Sequence, residues 1–155
     1  MTTWKPNATV ATVIERDGKY LLVEERDKTT GKMVFNQPAG HLDEGESLCA
    51  AAYRETFEET GWEIGLTGVL GITVYQSPGN GTTYLRTTFV GTGVRHHPEA
   101  VIDPDIHAVH WLTPDEVSAR ADQMRSPLVI SSIERHRAGV CYPLDIVDYH
   151  GGESP

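Results

Sequence analysis

At 155 residues, with 39% hydrophobic and 23% charged side chains, the chain is long enough to bury a core and reads as one domain spanning 1–155. A formal net charge of −9 argues against non-specific grip on a nucleic acid polymer or an anionic membrane, and no apolar run approaches the ~20 residues that span a bilayer. The opening residues lack the basic and apolar regions of a secretory signal, and two cysteines, Cys49 and Cys141, read as free buried thiols, so a cytoplasmic protein, monomeric by default, is expected.

Residues 8–15 and 19–26 are β-branched and apolar, and Asp17-Gly18 between them is a hairpin signal. Residues 27–33 are polar and carry a Thr-Thr-Gly turn, so a loop is expected, with a short strand at Met33-Val34-Phe35. Asn36 to Gly40 is a breaker-rich lead-in to a helix within 40–62. Residues 62–76 then read as strand, interrupted near Gly65–Gly71, with a turn at 77–81 and a returning strand at 82–91. Glycines, two prolines and several charges make 92–105 a loop, and 107–112 alternate like a half-buried strand. Thr113-Pro114-Asp115-Glu116 is a capping box with proline at the first helical position. Ser126-Pro127 opens a last helix that Gly139 can close, and 140–155 are expected as a short extended segment and a frayed tail. This order predicts an α+β protein, a mixed sheet with helices packed against it.

The stretch 40–62 has two helical faces at about 100° per residue. Glu55, Glu58 and Glu59 stand at i, i+3 and i+4 and share one side. Cys49, Ala50, Tyr53 and Phe57 fall on the other side and would face the core. Gly61 is placed to end the helix in the left-handed conformation. Three carboxylates on one turn repel by roughly a few tenths of a kcal/mol per pair, which a hard divalent cation with oxygen ligands would offset.

The same stretch resembles the Nudix box, G-x5-E-x7-R-E-U-x-E-E-x-G-U, where U is bulky and aliphatic or aromatic. Gly40, Glu46, Arg54, Glu55, Glu58, Glu59, Gly61 and Trp62 match, and Thr56 at the first U position departs. The resemblance implies an α/β/α sandwich with a central mixed sheet. It also implies a hydrolase that directs water onto a phosphoanhydride with Mg²⁺, or Mn²⁺ in its place. Glu55, Glu58 and Glu59 are then the metal ligands, with the Gly40 carbonyl an addition. Arg54 pairs with Glu46 or Glu55 and fixes the carboxylates in register, unless Glu46 reaches a second ion. The general base stays open between Glu55, Glu59 and the later acids Glu99, Asp103 and Asp105.

A small phosphorylated substrate needs cationic partners, and Arg26, Lys32, Arg86 and Arg125 are candidates. His41 beside Gly40 is a further one. The other histidines show no zinc-site spacing and read as surface or structural residues. Residues 36–42, Leu85-Arg86, 125–129 and 142–144 extend the resemblance toward a bacterial phosphatase branch of the family. That branch releases phosphate from nucleoside tri- and diphosphates and from hydroxymethylpyrimidine pyrophosphate. A pyrophosphohydrolase giving monophosphate and pyrophosphate is the alternative. A non-catalytic nucleotide-binding regulator would be expected to lack a box carboxylate or to carry a further domain.

Overall fold

A computed structural model describes residues 2–151. Asp17 (φ 51°) and Gly18 (φ 79°) both take left-handed backbone. That is the type I′ turn whose twist suits paired strands, and it joins β1 (Asn7–Arg16) to β2 (Lys19–Arg26). The chain continues through β3 (Met33–Asn36), β4 (Ala39–His41), α1 (Leu48–Thr60), β5 (Trp62–Gln76), β6 (Thr83–His96) and β7 (Ile106–Leu112). Two helices, α2 (Pro114–Ser118) and α3 (Pro127–Arg137), follow. The main path of the mixed sheet is β3-β2-β1-β6-β5, with β4 paired to β1 and β7 to β2.

β1 positions the site. One edge runs parallel to β6 from Asn7↔Tyr84 to Ile14↔Gly91. The other edge pairs first with β4, over Thr9, Val10 and Ala11, and then with β2 at Glu15 and Arg16. β4 and β2 therefore leave the same edge of β1 in different directions, and a cleft opens between them. Alternation along β1 sends Val10 to one face, with Ala51, Ala52, Val69 and Phe89. Val13 goes to the other face, with Leu22, Leu70, Val90, Val117, Val129 and Ile133. Helices thus cover both faces, α1 on one and α2 with α3 on the other. Each large apolar side chain buried there contributes about 1.5–3 kcal/mol.

The capping chemistry is realised. Ser47 Oγ accepts from Ala50 N–H at the start of α1, and Gly61 (φ 73°) closes it by donating to the Phe57 carbonyl. Thr113 and Glu116 form the reciprocal capping box of α2.

Four expectations need correction. The core face of α1 is Ala51, Ala52, Thr56, Glu59 and Thr60, whereas Tyr53 and Phe57 are 42% and 40% exposed. Small side chains let the helix lie close to β4, and this turns part of the acidic side inward. The strand at 82–91 does not stop for a loop at 92, because β6 runs on to His96 against Trp62 and Glu63. β5 is continuous, and its glycine-rich stretch appears as register shifts at Glu63/Ile64, Leu66/Gly68 and Val69/Gly71. Cys141 is exposed and Cys49 half-buried, both as free thiols.

Candidate active site

The cleft beside β4 has a volume of about 440 Å³. It gathers Gly40, His41, Glu55, Glu59, Arg26, Arg86 and Arg125 from five parts of the chain, together with Glu25, Asn36 and Asp105. Glu46 and Glu58 are tied to this lining through Arg54, which also bonds Glu55, and Lys32 lies outside it. Glu99 also lies outside, 3.2 Å from His97, which reaches Glu63 at the same distance.

The acidic end is built by α1 and β4. Glu59 is 6% exposed, and its Oε1 accepts from Ala39 N–H at 2.8 Å. Burial pushes its carboxyl up to about 9, and the nearby charges of Glu25, Glu55 and Asp103 add to this. Burial also raises Glu55, against the pull of Arg54. The Glu55 carboxylate occupies the space where any side chain at position 40 would begin, so a residue larger than glycine there would displace that carboxylate.

Arg54 acts from behind. Its Nε and Nη2 donate to the two Glu46 oxygens at 2.6 and 2.9 Å, a bidentate pair. Its Nη1 donates to Glu55 at 2.8 Å and Glu58 at 3.2 Å, and Nη2 also reaches the His41 carbonyl at 3.0 Å. One planar guanidinium therefore fixes the 41–46 loop and two glutamates of α1. Its hydrogen bonds hold the Glu46 carboxyl below the usual range.

Two residues with no local sequence signal complete the site. Gln37, 1% exposed, donates to the Val129 carbonyl of α3 at 2.9 Å and accepts from Arg86 Nη2 at 2.8 Å. Arg86 Nε donates to Thr88, and Nη1 takes part in none of the hydrogen bonds among the described residues. Burial lowers the Arg86 guanidinium to about 10. Glu25 on β2 accepts from Arg125 at 2.9 Å and is raised by burial. Arg26 is partly committed, because its Nη1 donates to the Gly31 carbonyl at 2.6 Å.

Residues 4–130 match the profile of the NUDIX domain. The chain belongs to the Nudix family. It is 38% identical over 144 residues to the phosphatase NudJ of Escherichia coli K12, covering 93% of this chain and 92% of that one. NudJ of Shigella sonnei shows the same identity and coverage. A Nudix hydrolase of Nitrosomonas europaea superposes with a TM-score of 0.93 at 47% identity, over 96% of this chain and all of that one. The MutT Nudix hydrolase of Burkholderia pseudomallei, at 23% identity and a TM-score of 0.71 over 85% of this chain and 98% of that one, shares the fold. As a Nudix hydrolase the protein acts on phosphoanhydrides of small phosphorylated substrates with a divalent metal ion.

The side chains present suit such an ion. Glu59 is a buried carboxylate that forms no ion pair with Lys or Arg among the described residues, and Glu55 and Glu25 stand within its field. Hard oxygen donors with excess negative charge are what Mg²⁺ or Mn²⁺ takes. Among the described residues no three or more His, Cys, Asp or Glu side chains are gathered closely enough to hold a metal ion by themselves. An open set of this kind is the pattern for an ion that shares its ligands with substrate phosphate and water. No helix of the described chain is long and apolar enough to cross a membrane.

Proposed function

We infer that this Nudix hydrolase is a Mg²⁺-dependent phosphatase, with Mn²⁺ as a substitute. It releases inorganic phosphate from nucleoside tri- and diphosphates and from hydroxymethylpyrimidine pyrophosphate. It works as a monomer of one domain in the cytoplasm, where a reducing medium suits free thiols at Cys49 and Cys141. The observation that carries the reading is the pairing, in one cleft, of half-buried Glu55 and buried Glu59 with the buried guanidinium of Arg86. Release of phosphate rather than pyrophosphate is supported by the likeness to NudJ.

Glu55, Glu58 and Glu59, with the Gly40 carbonyl, would hold the ion. When bound it supplies positive charge to phosphate oxygens and makes nearby water more acidic. Arg54 keeps Glu55 and Glu58 aimed. Arg86 offers Nη1 to a phosphate oxygen, with Arg125, Arg26 and His41 lining the same cleft. Water attacks the terminal phosphorus, the bridging P–O bond breaks, and the water's proton passes to a carboxylate that reaches the cleft. Glu55, Glu59 and Asp105 meet that condition, and Glu99 and Asp103 do not. Charge developing on the equatorial and leaving oxygens is met by fixed guanidinium donors.

The test is a substrate panel in Mg²⁺ with phosphate and pyrophosphate assayed separately. Phosphate from both tri- and diphosphates is expected. Pyrophosphate from a triphosphate refutes the phosphatase assignment, and binding without turnover of any substrate refutes catalysis.

A further inference from the structure

The sheet lays the cleft out in rows. Cross-strand partners share a face, and pairing aligns Ala39, Ala11 and Thr88 in one row. His41, Thr9, Arg86 and Thr73 form the next, and Asn7, Tyr84 and Tyr75 the third. Residues two apart on a strand project to the same side, so Tyr84 follows Arg86 on one wall. Both line the cleft with Thr9, His41 and Tyr75. Glu59, bonded to the Ala39 N–H, marks one end, and the tyrosine pair marks the other.

Two hairpin tips close over the tyrosine end. A Cβ on Gly79 would lie 3.9 Å from Thr29 Cγ2, so the 27–32 and 77–82 loops meet there. The first is fastened by Lys28 to Asp105 at 3.2 Å and by Arg26 to the Gly31 carbonyl. The second is closed by Ser77 and Thr82 backbone pairing. Asn80 Oδ1 accepts from Thr82 N–H at 2.9 Å, and Asn80 Nδ2 lies 3.5 Å from the Tyr84 hydroxyl. The Tyr84 ring lies 6.5 Å from that of His41. Aromatic faces, hydroxyls and an amide here replace the carboxylates of the other end.

We propose that Tyr75 and Tyr84 form a stacking subsite for the flat aromatic ring of a nucleoside polyphosphate. The proposal rests on the phosphatase reading above and adds the residues that hold the base of its nucleotide substrates. The span argues for a sugar between ring and phosphate. From the Ala39 row to the Tyr84 row is four residues of strand, roughly 13 Å, and β4 to β6 is two strand spacings of about 4.8 Å. A ring joined through a single carbon to a pyrophosphate is too compact to reach both ends.

Binding separates this subsite from the chemistry. Titration calorimetry in Mg²⁺ would compare an α,β-methylene nucleoside diphosphate with methylenediphosphonate, its ring-free counterpart. Stacking of a base on an aromatic side chain carries a 5- to 150-fold change, roughly, on truncation. Tyr84→Leu and, independently, Tyr75→Leu are expected to weaken the nucleoside analogue about tenfold. The ratio of its Kd to that of methylenediphosphonate should shift by the same factor, and Tyr84→Phe should restore it. Equal weakening of both ligands, or an unchanged ratio in both leucine variants, overturns the subsite. A methylenediphosphonate carrying its ring on a single carbon should bind the wild type no more tightly than the bare compound, and tighter binding overturns the nucleoside assignment. Failure of the phosphatase reading appears elsewhere, as absence of phosphate release from the nucleoside diphosphate by the wild type.

Discussion

Glu59→Gln should make the metal-free protein more stable at neutral pH while removing its use of metal. The folded carboxyl keeps its proton up to about pH 9, whereas the unfolded chain loses it near the ordinary value of 4.5. Between those values the native state binds more protons, so stability falls as pH rises through the window. Below 4.5 both states are protonated and wild type and variant should coincide. At pH 7 the gap of 2.5 units above 4.5 corresponds to about 3 kcal/mol, at roughly 1.36 kcal/mol per unit. Glutamine has the shape of the protonated acid, keeps the acceptor for Ala39 N–H, and has no proton to lose. Urea unfolding in a chelator at pH 4.5, 7 and 8.5 reads the difference directly. Glu25 and Glu55, also raised by burial, are present in both proteins, so only their coupling to Glu59 enters the difference. Added Mg²⁺ should then raise the midpoint of the wild type and not that of the variant. Parallel stability curves in the chelator would refute the claim that Glu59 is held as an uncompensated buried carboxyl.

Gly40→Ala places a methyl where the Glu55 carboxylate lies, and that carboxylate is the free end of a flexible side chain. Turnover in Mg²⁺ should fall at least about tenfold, or ~1.4 kcal/mol, while the melting temperature moves by only a few degrees, read by thermal denaturation beside a phosphate assay. Gln37→Leu strips Arg86 of an acceptor and the Val129 carbonyl of a donor inside the protein. It should cost about 2–3 kcal/mol in urea and raise the KM for a nucleotide. Thr56 is fully buried and its Oγ1 has no hydrogen-bond partner. Thr56→Val keeps the shape, removes the stranded hydroxyl, and should stabilise by about 1 kcal/mol without altering turnover.

Much of the fold was legible because its signals are local. Asp17-Gly18, Gly61, Ser126-Pro127 and the Thr113 box each act through backbone within four residues, and a sequence displays such chemistry directly. The inward face of α1 was not legible. Hydropathy favours Tyr53 and Phe57, but the sheet accepts Ala51 and Ala52 because β4 must come close enough for Gly40 to meet Glu55. The loop expected at 92–105 fails for a related reason. Gly93 reads as a breaker, yet a Cβ there would lie 2.9 Å from the Trp62 ring, so the glycine serves close packing inside a strand. Composition shows that a glycine is present and not which neighbour requires it.

The site divides along the same line. Its acidic end is carried by one loop and one helix, so fixed spacings from Gly40 to Gly61 can encode it. The rest of the cleft has no such encoding. Gln37 meets Arg86 across 49 positions and Glu25 meets Arg125 across 100. Tyr75 and Tyr84 become partners only through the β5–β6 register. That separation has a functional consequence. Changes in the pairing of β1, β5 and β6, or in the two hairpin tips, can alter what the phosphates are attached to while the carboxylates and Arg54 stay in place. The spacing motif therefore marks the family, and with the proposed tyrosine subsite substrate identity would follow from long-range register that no short window of sequence contains.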